Sequence, residues 1–364
     1  DYIPYYNDEI LNDMTKQKAM LNTAILTNSH DDWREFKNFR STVDKKIKIA
    51  KRQFLKQKFN DNKNQWKFLK NYQGKNKQHP PNNICQNGKQ ITSPKDIATI
   101  ANDFFIDKIE KIRKTFTPSS VDPIDVLNTL IPRIKNEFKI PKITISATQK
   151  IIKNLKNSNS TGHDDINNKI IKKINKQISP HITHKINTII DKNTVPKIFK
   201  ISRILPLNKP DKNETIIDSY RPINNLPCLE KIFEEHVLTH LNIFLDDNKI
   251  LNYNQHRGRK NHSTTSALTQ INNQLLKNDE NGKISATMTT DLSAAYDTID
   301  IGILLKKLDH YGIRGDSLKL FKSYFEDRKQ YVQIDNFNSK IRQSPPCGCV
   351  QGSKFSGTRY GLYT

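Results

Sequence analysis

The chain has 364 residues, which is enough to bury a hydrophobic core and to form more than one domain of about 100–200 residues. It carries 60 Lys and Arg residues against 37 Asp and Glu, and the net charge of +23 favours an acidic polymer, nucleic acid before anionic membrane, as its partner. The abundance of Lys, Asn and Ile together, as AT-rich coding produces, is an alternative origin for part of this charge. No apolar run approaches the ~18 residues of a membrane span, no secretory signal opens the chain, and its four cysteines suggest neither a disulfide framework nor a complete zinc site. We therefore expect an intracellular protein of the cytoplasm and nucleus that is not secreted.

Residues 1–80 are predicted to form a basic helical connector. From Trp33 onward, apolar residues recur every three or four positions, which predicts a long amphipathic helix. Its flanks are rich in cations, including Lys45, Lys48, Arg52 and Lys56. These side chains are suited to binding the phosphate backbone of a nucleic acid through counterion release, but a solvated helix face has the same composition. The sequence alone favours neither interpretation.

Residues 81–145 are expected to hold a linker and a helical segment, with a helix over 94–112. The third region, 146–364, begins where the composition changes. Residues 146–149 read Ser-Ala-Thr-Gln, which predicts a capping box at the start of a helix that carries Ile151.

The pattern after residue 200 predicts two β-hairpins and a strand that ends at an aspartate. The first hairpin pairs 200–208 with 219–226, and the second begins at the alternating residues 330–334. Residues 285–290 have strand composition, and Asp291 follows them at the expected edge of a sheet, where metal ligands and catalytic acids are useful. Helices are expected over 226–246, 263–276, 303–311 and 317–325, with Asp297 and Asp300 at the start of the third.

Four short pieces follow one another in a fixed order between residue 157 and the last residue. They are Ser-Thr-Gly-His-Asp-Asp-Ile (160–166), Ser-Tyr-Arg-Pro-Ile (219–223), Thr-Asp-Leu-Ser-Ala-Ala-Tyr-Asp-Thr-Ile-Asp (290–300) and Val-Gln-Gly-Ser (350–353). Their order and spacing closely resemble the reverse transcriptase domain of non-LTR retrotransposons, in particular the jockey-like LINE-type group. The N-terminal part is more loosely similar to the connector that precedes the polymerase in this family. Any single piece is a weak signal, whereas four in order are a strong one.

The resemblance implies an α+β fold in which 146–364 form the fingers and part of the palm of a right-hand polymerase. It implies an RNA-directed DNA polymerase that uses an RNA template, a DNA primer, dNTPs and two Mg²⁺ ions, which stabilise the attacking and leaving oxygens. Asp291 corresponds to the catalytic, first metal-binding aspartate of the family, and Leu292 is the second position assigned to the metal site. Tyr296 corresponds to the aromatic steric gate that excludes a ribose 2′ hydroxyl.

Other positions are implied to bind the nucleotide and the nucleic acid. Arg221 and, with a looser match, Lys209 correspond to positions in the fingers that grip the triphosphate, where a guanidinium fork suits phosphate geometry. Gln351 and Gly352 correspond to the loop beside the nascent base pair, where the absence of a Cβ permits close approach. Arg259 is expected to join the connector cations on the nucleic-acid backbone.

These assignments predict that Asp291, Arg221 and Gln351 share one cleft. The alternatives are structural: Arg221 as a surface cation, Tyr296 as a core residue and Gly352 as an ordinary turn.

The sequence departs from the family pattern in two places. The paired-aspartate motif of the palm does not occur before Thr364, and residues 255–259, Gln-His-Arg-Gly-Arg, lack a usual apolar anchor. Because one carboxylate cannot hold two metal ions, we expect residues 1–364 by themselves to lack polymerase activity. The alternative functions are a non-catalytic nucleic-acid-binding remnant and a group II intron-type maturase, against which the connector and residues 311–332 argue.

Overall fold

The computed structural model describes residues 5–59, 79–117, 120–259, 261–292, 294–348, 350 and 352–363. The chain divides into two compact units, Asp1–Lys77 and Gln78–Thr364. Across these described ranges, no helix has both the length and the apolar character needed to cross a bilayer.

The first unit contains two helices, α1 (Asp8–Thr27) and α2 (His30–Phe59). Asn28 ends α1 in the left-handed conformation, with φ 49°, which lets the chain reverse into α2. The two helices are joined by ion pairs from Lys46 to Glu9 (2.6 Å) and Asp13 (2.7 Å). Phe36 and Val43 are buried on the predicted apolar seam, so the predicted amphipathic helix is confirmed, although it begins at His30.

In the described residues, the second unit combines ten further α-helices with a small sheet and a separate hairpin. The helices in order are α3 (Pro94–Lys114), α4 (Pro123–Leu130), α5 (Ile145–Asn154), α6 (Asn168–Lys173), α7 (Asn175–Lys192), α8 (Cys228–Asp247), α9 (Thr264–Glu280), α10 (Ile301–His310) and α11 (Gly315–Phe325), and α12 (Phe355–Tyr363) closes the chain after the sheet. The strands are β1 (Ile84–Gln86), β2 (Lys89–Ile91), β3 (Ile201–Asn208), β4 (Tyr220–Asn225), β5 (Lys329–Ile334), β6 (Phe337–Asn338) and β7 (Arg342–Gln343).

The main sheet has the order β4-β3-β5-β6, with β7 also paired to β5. Strands β3 and β4 form the predicted hairpin, antiparallel and in register from Arg203↔Asn225 to Asn208↔Tyr220. Strand β5 lies parallel to β3 on its other side and continues into the second predicted hairpin. Both predicted hairpins are therefore confirmed.

Two hydrophobic clusters support this arrangement. The larger one surrounds α8, whose Ile232, Phe233, Val237 and Leu241 are all buried. Burial of each such side chain contributes about 1.5–3 kcal/mol relative to leaving it in water. The smaller cluster lies between α3 and the sheet, so residues 81–145 fold into the same compact unit as 146–364.

Two local predictions were wrong. Helix α5 begins at Ile145, because the Thr144 side chain accepts a hydrogen bond from the Ala147 amide, and Ser146 lies inside the first turn and not at the cap. Residues 285–290 form no strand and are exposed throughout. A strand needs a neighbouring backbone to satisfy its amides and carbonyls, and no described segment pairs with these residues.

Candidate nucleotide site

The turn end of the β3–β4 hairpin, where residues 209–219 connect the strands, gathers positive charge. Arg221 is exposed on β4 opposite Leu207, and Lys209 follows β3 directly. The Lys209 amide donates to the Ser219 carbonyl (2.7 Å), and its Nζ donates to the Asp218 carbonyl (2.6 Å). The hairpin therefore holds Lys209 by both its backbone and its side chain.

Nearby charges add to the positive potential at this end. The ammonium group of Lys108, on α3, hydrogen-bonds the Asp218 carboxylate and thereby lowers the pKa of Asp218. Burial lowers the pKa of Lys209, and the charges of Lys108, Arg221 and Lys212 act in the same direction against the attraction of Asp218. Three cations that act on Lys209, together with Lys209 itself, give this end of the hairpin a positive potential that suits a polyanion such as a triphosphate.

The turn at Gly352 lies directly against the hairpin. Gly352 has φ +112°, and a Cβ built on it would lie 2.6 Å from the Asn224 carbonyl oxygen on β4. Only glycine permits both the backbone angle and this approach. The structure thus brings Gly352 to the strand that carries Arg221, whereas Gln351 lies outside the described residues.

A small cavity of about 70 Å³ separates the hairpin from the segment before Gly352. Its lining includes Ile204, Asn224, Asp297, Gly348 and Val350. Pockets for small-molecule ligands usually measure about 300–1,000 Å³, so this cavity does not itself hold a nucleotide. The cavity lies where β4 approaches Pro345, Cys347, Gly348 and Val350.

The predicted metal position has a different environment. Asp291 is exposed after a segment without regular structure, Leu292 is 62% exposed, and neither lines the cavity beside the hairpin. Asp300, the next candidate, caps α10 by accepting from the Ile303 amide (3.0 Å) and pairs with Arg113 (3.1 Å). Among the residues described, no group of three or more His, Cys, Asp or Glu side chains could hold a metal ion, so the residues present do not fit the implied site.

Tyr296 is partly buried against the larger core cluster. The guanidinium carbon of Arg257 lies 4.6 Å from the centre of its ring, at cation–π distance. The ring therefore contacts both the core cluster and the Arg257 guanidinium.

The predicted nucleic-acid cations divide into two groups. Lys45, Lys48, Arg52 and Lys56 are exposed along one stretch of α2, and within 5–59 and the other described ranges none of them forms an ion pair. Arg259 instead donates to the Asn252 carbonyl (3.1 Å) and contacts an Asp246 carboxylate oxygen at 3.4 Å. Its guanidinium is thus engaged within the fold.

Sequence reasoning missed the side chain that anchors residues 160–166. Arg203, buried on β3, donates to the Tyr331 hydroxyl (2.9 Å) and the Thr161 hydroxyl (2.8 Å), and it pairs with Asp165. This arginine occupies an ordinary position of an alternating strand, so no local sequence signal distinguishes it.

It also missed Glu230 and Glu234, both fully buried on α8. A signal did exist: positions 230, 234, 237 and 241 form one helical stripe, and its other two members are Val237 and Leu241. Two acidic residues on an otherwise apolar stripe indicate buried carboxylates with dedicated partners.

Comparison with known proteins defines the class. Residues 207–364 match the family described as reverse transcriptase (RNA-dependent DNA polymerase), and this match includes the hairpin from Leu207, the Asp291 segment and the Gly352 turn. Residues 207–364 therefore carry the similarity to the reverse transcriptase family.

The relatives of this chain indicate which group of reverse transcriptases it resembles. The chain is 25% identical over 264 residues to the RNA-directed DNA polymerase from mobile element jockey of Drosophila melanogaster, covering 69% of this chain and 28% of that protein. It is 26% identical over 246 residues to the probable RNA-directed DNA polymerase from transposon BS of the same species, covering 66% of this chain and 26% of that protein. These similarities support the resemblance to LINE-type, non-LTR retrotransposon reverse transcriptases that the ordered motifs predicted, and the chain spans about a quarter of the length of these curated relatives.

Proposed function

We propose that residues 146–364 are the fingers and part of the palm of an RNA-directed DNA polymerase, and that residues 1–80 are a basic connector. The substrates would be an RNA template, a DNA primer and dNTPs, and the protein would act in the cytoplasm and nucleus. The observation that carries this proposal is the contact of Gly352 with β4. This contact brings the family motif at Gly352 to the strand that carries the family motif at Arg221.

In this proposal the hairpin binds the nucleotide. Arg221 and Lys209 would contact the triphosphate, since both lie at the cationic end of the hairpin and Arg221 is free to reach solvent. Gln351 and Gly352 would face the base pair, and Tyr296 would limit the sugar to deoxyribose. The Tyr296 ring is suited to a steric gate because it contacts both the core cluster and Arg257.

Polymerases of this family use divalent metal ions. The described residues do not assemble a site for them, so the roles of Asp291 and Leu292 as metal-binding positions stay predictions and no reaction step is derived through a metal. From this disagreement we infer that residues 1–364 alone do not extend a primer. Product above background on a homopolymer RNA template with a DNA primer, Mg²⁺ and dNTPs would contradict this inference.

The nucleotide role is tested by binding. In residues 1–364, Arg221→Ala should weaken dNTP binding about tenfold, the loss expected for one charge-assisted contact to phosphate. Arg133→Ala is the matched control, because Arg133 is also an exposed arginine but pairs with Asp309. Equal affinities for wild type and Arg221→Ala, by fluorescence titration with a labelled dNTP, would refute the assigned role of the hairpin.

A second candidate function, nucleic-acid binding without catalysis, is favoured by the exposed cations of α2. Replacement of Lys45, Lys48, Arg52 and Lys56 by Gln should reduce the slope of log K against log salt for single-stranded RNA by about 3. A charge-matched control replaces Lys150, Lys153, Lys173 and Lys176 in the second unit. Equal slopes for the two variants would show that α2 is only a solvated face.

A further inference from the structure

Glu234 lies in an unusual position for an acidic residue. It is 0% exposed on α8, in the middle of the larger hydrophobic cluster. A buried carboxylate is unfavourable unless hydrogen bonds replace its hydration, so its partners show what the fold uses it for.

Two of those partners are consecutive residues that follow the turn at Gly352. Glu234 Oε1 accepts from the Ser353 hydroxyl (2.7 Å), and Oε2 accepts from the Lys354 backbone amide (2.9 Å). The Tyr324 hydroxyl, from α11, is a third donor to Oε1. Two of the three bonds thus go to the two residues that directly follow Gly352.

The neighbouring buried arginine has a different partner. Arg328 donates to Glu230 (2.9 Å), one helical turn before Glu234, and to the Phe199 carbonyl (3.1 Å). Glu234 is therefore held chiefly by neutral donors, and those donors fix residues 353–354.

The same turn is held from its other side by the strand that leads into α8. Gly352 meets the Asn224 carbonyl on β4, and only residues 226–227 separate β4 from α8. One continuous stretch of chain, from Arg221 to Glu234, therefore holds the Gly352 turn at both ends. The length of this stretch is fixed because β4 is paired with β3 and α8 is buried.

We propose that Glu234 is a positioning residue that keeps the Gly352 turn in register with β4, and so sets the spacing between Gly352 and Arg221 at the nucleotide. This inference rests on the proposed function of the hairpin. Glu234 itself is buried beneath the turn and does not touch the nucleotide.

The first part of the test needs no nucleotide. Amide hydrogen exchange in residues 1–364 should show about tenfold or faster exchange at Lys354 in Glu234→Gln, because a neutral amide cannot accept from both sides, while Val332 in the sheet is unchanged. Glu235→Gln is the matched control: Glu235 is the next residue and pairs with the Lys354 ammonium group, but not with its backbone. If Glu234→Gln fails to fold, Ser353→Ala replaces it, since it removes one of the two bonds from the turn.

The second part measures labelled-dNTP affinity in the same variants. Glu234→Gln should weaken binding about tenfold, as expected when a binding group is displaced by a fraction of an ångström. Tyr324→Phe removes a donor to the same carboxylate and a contact with the Ser353 hydroxyl (3.2 Å), but it leaves the bond from the Lys354 amide to Glu234 intact, so it should lower stability but keep the affinity. A merely structural role for Glu234 predicts equal losses of affinity in these two variants.

The outcomes are distinct. Faster exchange at Lys354 together with an affinity loss confined to Glu234→Gln supports the inference. Unchanged exchange at Lys354, or equal affinity losses in Glu234→Gln and Tyr324→Phe, overturns it. If Arg221→Ala leaves the affinity unchanged or the wild type binds no dNTP, the proposed function fails and the inference falls with it, whereas the exchange result still reports whether Glu234 holds the turn.

Discussion

Strand β4 with its Gly352 turn and the segment before Asp291 belong to the same family match, yet the fold holds them very differently. The hairpin is paired along its length and contacts the Gly352 turn, which buried Glu234 fixes from behind. Helix α9, by contrast, has no buried residue, and 281–292 are exposed throughout.

A sequence motif indicates which residues could take part in the chemistry, but it does not by itself show where the fold places them. The hairpin supplies its own backbone partner through a short turn, so local sequence is sufficient to form it. A strand composition at 285–290 expresses only a preference for a pleated, half-buried surface, and that preference acts only where such a surface is available. The family match therefore includes Asp291, and the described part of the fold does not place this residue in a metal site.

The largest expected effect concerns the buried charges behind the hairpin. At about pH 9, above the pKa of about 8 that burial gives Glu230, Arg328→Leu should lower the free energy of unfolding by about 3–5 kcal/mol, because it leaves an ionised, buried Glu230 without its cation. Asp291→Asn should change it by less than about 0.5 kcal/mol, as expected for an exposed residue. Urea unfolding followed by circular dichroism measures both, with Arg133→Leu as a control for loss of an exposed arginine. Equal effects of Arg328→Leu and Asp291→Asn would remove the contrast between the two regions.

Glycine substitutions sharpen the same comparison. Gly352→Ala should cost about 2–4 kcal/mol, because it combines backbone strain with a clash at Asn224. Gly282→Ala, in the exposed segment, should cost only about 1 kcal/mol, since its φ of +65° is also left-handed but no atom lies within 4 Å of the new Cβ. The same unfolding measurement applies. A cost at Gly282 as large as that at Gly352 would mean that strain alone, and not contact with β4, governs the turn.

The buried region should also carry a pH dependence that the exposed one lacks. Burial raises the pKa of Glu230 to about 8, since desolvation outweighs the attraction of Arg328. At pH values between the ordinary pKa of a glutamate and about 8, Glu230 keeps its proton in the folded protein and loses it in the unfolded chain. The free energy of unfolding should therefore fall as the pH rises through this window and level off above it. Thermal unfolding of Glu230→Gln should show a flatter dependence between about pH 5 and 8. Parallel curves for Glu230→Gln and wild type would contradict this assignment.

The smallest effect is expected in the exposed segment itself. Ile284 and Met288 are 102% and 86% exposed, so Ile284→Thr and Met288→Thr should leave the free energy of unfolding within about 0.5 kcal/mol of wild type. Removal of exposed apolar surface should reduce aggregation, measured by light scattering. Leu130→Thr, 73% exposed on α4, controls for a single exposed apolar residue elsewhere. A marked loss of stability in Ile284→Thr would show that the segment is packed.

Much of the fold could be predicted from local pattern. The seam from Trp33, the helix over 94–112 and the 200–226 hairpin were all indicated by periodicity or turn composition, and all are present. The β1–β2 hairpin and the Thr144 cap were not predicted, because three-residue strands carry too little periodicity and several hydroxyl residues compete for one cap.

The order of the motifs is a property of the sequence, so the resemblance to the family and the list of candidate residues could be read without a structure. The sequence also determined the local elements whose hydrogen bonds close within a few residues. Only the tertiary structure decided that Glu234 and Arg203 anchor distant turns, that Gly352 meets Asn224, and that Asp291 stands exposed. The physical reason is that buried polar groups and strands are stabilised by partners far away in sequence, and a local pattern does not show whether those partners are in place.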